Sequence, residues 1–163
     1  MAGMAFEEKS KATDLLQLVV FELGGEEFGV EIMNVQEIIR MPEMTQIPHS
    51  PDFVEGVINL RGRIIVVVNL SKRFNMRSKA TDENSRIIVV EIGNAVVGMI
   101  VDSVNEVLRI PASNVEPAPE LVKSKVSRNY LKGVGKIDKR LLILLDLARV
   151  MTVEEVDEIT NLA

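Results

Sequence analysis

One pattern is written twice in this chain of 163 residues, and that duplication constrains the fold more than any single motif. At an offset of 69, Leu18-Val-Val-Phe-Glu-Leu-Gly24 falls on Ile87-Ile-Val-Val-Glu-Ile-Gly93, Gly29 meets Gly98, and Val35-Gln-Glu-Ile-Ile-Arg-Met-Pro42 meets Val104-Asn-Glu-Val-Leu-Arg-Ile-Pro111. At an offset of 77, Phe53-Val-Glu-Gly-Val57 meets Tyr130-Leu-Lys-Gly-Val134, and Arg63-Ile-Ile-Val-Val-Val-Asn-Leu70 meets Arg140-Leu-Leu-Ile-Leu-Leu-Asp-Leu147. Two copies are too few, and the period too long, for a solenoid. Units of about 70 residues are marginal alone, so the two copies are expected to pack intimately as paired subdomains.

Within each copy the signals are those of short strands. Gly24-Gly25 and Gly93-Asn94 mark tight hairpins, and Arg61-Gly62 marks another. Residues 64–68 and 141–145 are unbroken apolar runs, which predicts strands buried on both faces, as at the seam of a barrel. Val35 to Arg40 reads as a short helical turn followed by a strand, and Asp52 to Gly56 as a single helical turn. The second copy has 19 residues from Pro111 to Tyr130 where the first has 11 from Pro42 to Phe53, room for a helix over about 120–128. Thr152-Val-Glu-Glu155 is a capping box, followed by Val153, Val156 and Ile159 at near-helical spacing, which predicts a short C-terminal helix. Residues 1–14 read as a flexible tail. The expected class is mainly β, one domain over 15–151 made of two small intertwined five-stranded barrels, about 15–80 and 86–147, with short helices and with 152–163 as helix and tail.

Composition narrows the function. Cysteine is absent, excluding disulfides, thiolate metal sites and a cysteine nucleophile. Aromatic residues are only 4%, a poor basis for stacking single-stranded nucleic acid, and a net charge of −5 disfavours nucleic acid generally. No signal peptide or membrane-spanning run is apparent, so the reading is a cytoplasmic protein without membrane insertion. Basic residues nevertheless cluster: six Lys/Arg without an acid over 61–79, and seven against Asp138 alone over 123–140. These windows read as solvated loop charge or as a landing place for an acidic partner.

Candidate chemistry is sparse. His49 is the single histidine, lying between prolines with no second metal ligand or nucleophile. Gly133-Val-Gly-Lys136 fails as a phosphate loop, because Tyr130 and Ile137 stand where Gly and Ser or Thr are required. Glu37 and Glu106 are equivalent in the repeat, which favours a shared structural role, such as pairing with Arg40 or Arg109, over a catalytic dyad. No catalytic, cofactor or metal site is predicted; the pattern is that of a binding protein.

The stretch Phe53-Val-Glu-Gly-Val-Ile-Asn-Leu-Arg-Gly62, with Val35-Gln-Glu-Ile-Ile39, Ile47-Pro48, Val96-Val-Gly-Met-Ile-Val-Asp102 and Tyr130-Leu-Lys-Gly-Val134, resembles the CheW family of bacterial chemotaxis coupling proteins. The likeness runs from about Leu15 to Met151. It implies two SH3-like five-stranded barrels packed together and an adaptor without enzymatic activity. It implies as partners the cytoplasmic tips of methyl-accepting chemoreceptors and the regulatory domain of the histidine kinase CheA, which has the same fold. The adaptor is implied to be a monomer in isolation that forms rings with the kinase, recruited to membrane-associated arrays. Carried over residue by residue, Val35, Glu37, Asn59 and Arg61 belong to the receptor-binding region, and Met41, Met44 and Ile47 to the kinase-binding region. Arg61 and Glu37 serve equally well as an internal ion pair, and the three apolar loop residues as ordinary core. An isolated CheW-like domain of a larger chemotaxis protein fits the same residues.

Overall fold

The computed structural model describes residues 14–77, 79–117 and 128–162; the expected helix over 120–128 and nearly all of the N-terminal tail lie outside them. The first copy supplies β1 (Leu15–Leu23), β2 (Glu26–Glu31), β3 (Val35–Arg40), β4 (Val54–Leu60), β5 (Arg63–Asn69) and a helical turn α1 (Leu70–Arg73). The second supplies β6 (Arg86–Ile92), β7 (Ala95–Val101), β8 (Ser103–Pro111), β9 (Val115–Glu116), β10 (Leu131–Ile137), β11 (Arg140–Leu145) and α2 (Leu147–Val150), followed by α3 (Val153–Leu162). A 3-10 turn at Ile32–Asn34 precedes β3, whereas Asp52 to Gly56 is not helical: β4 begins at Val54.

The sheets do not divide the chain at residue 80. One sheet has the order β3-β6-β7-β5-β4 and the other β8-β1-β2-β11-β10-β9. Each copy's first hairpin is thus given to the other copy's barrel. Two parallel seams join lent hairpin to host: β7 on β5, with Gly98 opposite Val67, and β2 on β11, with Gly29 opposite Leu144. The ranges 15–80 and 86–147 thus mark the two copies of the repeat, while each barrel takes strands from both; parallel partners need a crossover rather than a tight hairpin, and here they come from the other copy.

Both sheets close on themselves. Chain leaving β3 at one edge of the first sheet crosses to the other edge, where Thr45 bridges Val57 of β4 with backbone bonds of 3.0 and 2.8 Å. Chain leaving β8 turns through Ala112–Asn114 and becomes β9 on β10, the equivalent closure. Each crossing passes over a glycine at a bulge: a Cβ on Gly56 would lie 2.4 Å from the Thr45 carbonyl oxygen, and one on Gly133 2.6 Å from that of Glu116.

Strand alternation then sorts apolar residues into three cores. Ile65, Val67, Ile87 and Val89 fill the first barrel; Leu18, Val20, Leu142 and Leu144 fill the second. Their neighbours Val66, Val68, Ile88, Val90, Val19, Phe21, Ile143 and Leu145 point the other way, into a larger core shared by both sheets. The unbroken apolar runs are strands with hydrophobic material on both faces, as expected from the sequence.

The C-terminal helix is capped as predicted: Thr152 Oγ1 accepts from Glu155 N–H and Glu155 Oε1 accepts from Thr152 N–H, both at 3.1 Å. Its Val156 and Ile159 are buried in the shared core.

Gly56→Ala meets both a backbone carbonyl and an unfavourable φ of 155°. The expected loss is at least about 2 kcal/mol of unfolding free energy by denaturant titration, with far-UV circular dichroism retained.

Candidate adaptor surface on the edge strands

The edge strands β3 and β8 are built alike. Each carries one extra residue relative to its neighbour: Gln36 between Val35, opposite Val90, and Glu37, opposite Val89; and Asn105 between Val104, opposite Phe21, and Glu106, opposite Val20. A bulge of this kind reverses which side of the sheet the following residues face. Val35 and Ile38 consequently face the shared core's side, as do Val104 and Val107, whereas Glu37 and Glu106 face the barrel side. Val35 and Val104 pack against the rim of the shared core, while Ile38 and Val107 remain 38% and 52% exposed. Met33, 89% exposed on the turn before β3, and Leu15 continue this apolar strip. They flank a groove of about 340 Å³ also lined by Leu16, Ile32, Gln17, Glu31 and Arg109.

On the other face stands a salt bridge. Arg61, at the tip of the β4-β5 hairpin with a left-handed φ of 54°, grips Glu37 with both arms: Nη1 donates to Oε1 at 3.0 Å and Nη2 to Oε2. Asn59 Oδ1 accepts from Gly62 N–H at 2.8 Å, fixing the same hairpin tip. The carboxylate beside Arg61 holds its guanidinium pKa above the ordinary arginine value, chiefly by hydrogen bonding. The arginine side chain is nonetheless 73% exposed, so the pair is screened by water and stabilises the fold little. Arg61 thus braces an edge strand and also presents its charge outward.

The second barrel repeats the arrangement with a different arginine. Arg140 reaches Glu106 at 3.4 Å and Glu27 at 2.7 and 3.2 Å. Glu37 and Glu106 do share a structural role, but their partners are Arg61 and Arg140, not Arg40 and Arg109. The residue equivalent to Arg61 is Asp138, so the first turn residue differs in sign between the two hairpins. Hydrogen bonding to Arg140 pulls the Glu27 carboxyl below its ordinary range, against a smaller opposing effect of burial. Much of the basic windows is paired in this way: Lys72 with Glu55, Arg73 with Glu155, Lys132 with Glu31 and Lys136 with Glu116.

The predicted residues fall into separate places. Val35 belongs to the apolar strip, whereas Glu37, Asn59 and Arg61 form the brace on the other face. Met41 and Met44 are half-buried against the interior of the first barrel, while Ile47 packs on the shared core. His49 is exposed, and among the described residues no three His, Cys, Asp or Glu side chains gather to hold a metal ion. The apolar strip was missed except for Val35. Its signal was present in Ile38-Ile39: two adjacent apolar residues on a strand must face opposite sides, so one required a second partner.

A CheW-like domain model matches residues 17–155. The chain belongs to the CheW family. The chemotaxis protein CheW of Klebsiella aerogenes is 38% identical over 164 residues, covering 100% of this chain and 98% of that protein. A probable CheW of Rhizobium etli is 35% identical over 88% of this chain and 92% of its own length. The crystal structure of the scaffolding protein TtCheW from Thermoanaerobacter tengcongensis superposes with a TM-score of 0.77 at 37% identity, covering 86% of this chain and 90% of that one. Membership makes this a chemotaxis protein of the scaffold and adaptor family. Among the described residues no helix is long and apolar enough to cross a membrane.

The Glu27 pKa, lowered in the fold, gives stability that is present above the ordinary carboxylate range and lost as pH falls through the lowered value. Glu27→Gln is expected to flatten the acid side of the stability profile, measured as unfolding midpoints between neutral and acidic pH. A slope unchanged from the parent would refute the assignment.

Proposed function

We propose that this CheW-family protein is a non-catalytic cytoplasmic adaptor. It joins the cytoplasmic tips of methyl-accepting chemoreceptors to the regulatory domain of the histidine kinase CheA in membrane-associated arrays. The observation that carries the receptor half is the apolar strip on the bulged edge strands, Val35 and Ile38 with Val104 and Val107. A helical receptor tip offers an apolar face that a strip of this kind suits. Glu37, Asn59 and Arg61 support it by holding β3 to the β4-β5 hairpin, and Arg61 adds an exposed cation on the strand's other face.

The kinase half rests on the loop after β3. Met41 and Met44 close the first barrel and Ile47 packs on the shared core, all three keeping part of their surface in water, and methionine side chains repack readily against a partner. The two assignments use different surfaces, so the protein, a monomer alone, engages both partners at once. Duplicated but unequal barrels permit head-to-tail contacts with a kinase domain of the same fold, and such contacts close into rings.

Titration with a receptor tip fragment and with the CheA regulatory domain, separately and together, tests this reading. Simultaneous binding is expected. Val107→Glu is expected to weaken receptor binding at least about tenfold, and Arg61→Ala to weaken it less, each leaving kinase affinity and the unfolding midpoint near the parent's. Binding of neither partner by a folded sample would overturn the adaptor reading. Normal receptor affinity in both variants would overturn the site.

A further inference from the structure

The end of the shared core at which the three helices gather is closed by a single asymmetric group. α1 and α2 occupy equivalent places in the repeat, with Asn69 and Asp146 as their N-caps. Two further bonds are equivalent: Asn69 N–H donates to the Phe53 carbonyl at 2.7 Å, and Asp146 N–H to the Tyr130 carbonyl at 3.0 Å. Arg73 lies between these two junctions. Its Nε donates to the carbonyl of Val150 at 2.8 Å, and Val150 is the residue equivalent to Arg73 itself. A bond between equivalent residues places the local twofold axis here.

The guanidinium has three further engagements. It lies 5.1 Å from the Phe53 ring centroid and 5.7 Å from that of Tyr130, within range of cation–π attraction to both. Its Nη2 donates to Glu155 of α3 at 2.9 Å, and only 18% of the side chain is exposed. The first turn of each barrel's closing segment and the C-terminal helix therefore meet on one cation. A ten-residue helix has little stability of its own and depends on such attachments.

We propose that Arg73 is a clamp that makes docking of α3 and the packing of Phe53 and Tyr130, one in each barrel, a single cooperative event. The consequence is a conformational link: loosening α3 loosens the strand-to-helix junctions of both barrels together, while the strands at the centre of each sheet stay closed. This link does not depend on which partner the edge strands take.

Glu155→Gln separates the clamp from ordinary helix stability, because glutamine preserves the capping box with Thr152 while losing the charge that faces Arg73. Arg73→Lys tests the same point from the other side, keeping the charge but losing the planar fork that serves Val150, Glu155 and two rings at once. The measurement is residue-resolved amide hydrogen exchange on the full chain. In Glu155→Gln, protection of the α3 amides is expected to fall about threefold to tenfold, with Asn69 and Asp146 falling by the same factor and β6 amides unchanged. Loss confined to α3, loss in one barrel only, or no loss at all would overturn the clamp. If Arg73→Lys fails to fold, Glu155→Gln alone decides.

Discussion

The parallel seams between lent hairpin and host strand are the constraint on which the rest of the structure depends. At each seam a glycine stands opposite a large aliphatic residue: Gly98 with Val67, Gly29 with Leu144. A Cβ on Gly98 would lie 2.8 Å from Ile87 Cγ2 and 3.3 Å from Val67 Cγ2, so the strands approach through space that only glycine leaves open. Because each seam joins the two copies, neither barrel is complete without the other's hairpin. Each copy is too small to bury a sufficient core alone, and exchange removes that weakness by making three cores out of two units. It also fixes the barrels relative to one another, since β1, β6 and β7 contribute to both a barrel interior and the shared core.

Much of this was legible in the residues. The duplication, the tight turns, the doubly buried runs and the capping box at Thr152 all follow from local spacing, and local spacing is what a single sequence displays. Intertwined barrels were expected, but which hairpin each copy lends was not legible, because Leu18 to Val30 satisfies the same alternation in either barrel; the choice depends on which strand edge is open after the chain has turned. The helical turn expected at Asp52 gave way to a strand for a similar reason. Val54 pairs with Val68 and Thr45 crosses over Gly56, and this tertiary pairing outweighs a weak local preference.

The site was legible in pieces. Family likeness pointed to Val35, Glu37, Asn59 and Arg61 as one group; Val35 and Glu37 lie on β3, Arg61 reaches Glu37 from the β4-β5 hairpin, and Asn59 fixes that hairpin's tip. It was the bulge at Gln36 that could not be read. One extra residue sends Val35 and Glu37 to opposite faces and makes Ile38 the companion of Val35. In the absence of a known pairing partner, a bulge leaves no mark in composition or periodicity beyond the adjacent apolar pair Ile38-Ile39.

Duplication supplies two copies of every feature, and function requires that they differ. The scaffold is kept nearly identical where packing decides: glycine seams, bulges, closing crossovers and N-caps recur at equivalent positions. The differences are charged and lie on surfaces or at the axis. Arg61 has Asp138 as its equivalent at the hairpin tip, Arg63 has Arg140, which reaches Glu27 and Glu106, and Arg73 has the fully buried Val150. Two guanidinium groups would repel one another at the local axis, whereas Val150 offers Arg73 its carbonyl and leaves it to reach Glu155 of α3. Broken symmetry at the hairpin tips, at Arg140 and at Arg73 gives the chain a distinguishable first and second barrel, so its two halves offer unequal surfaces.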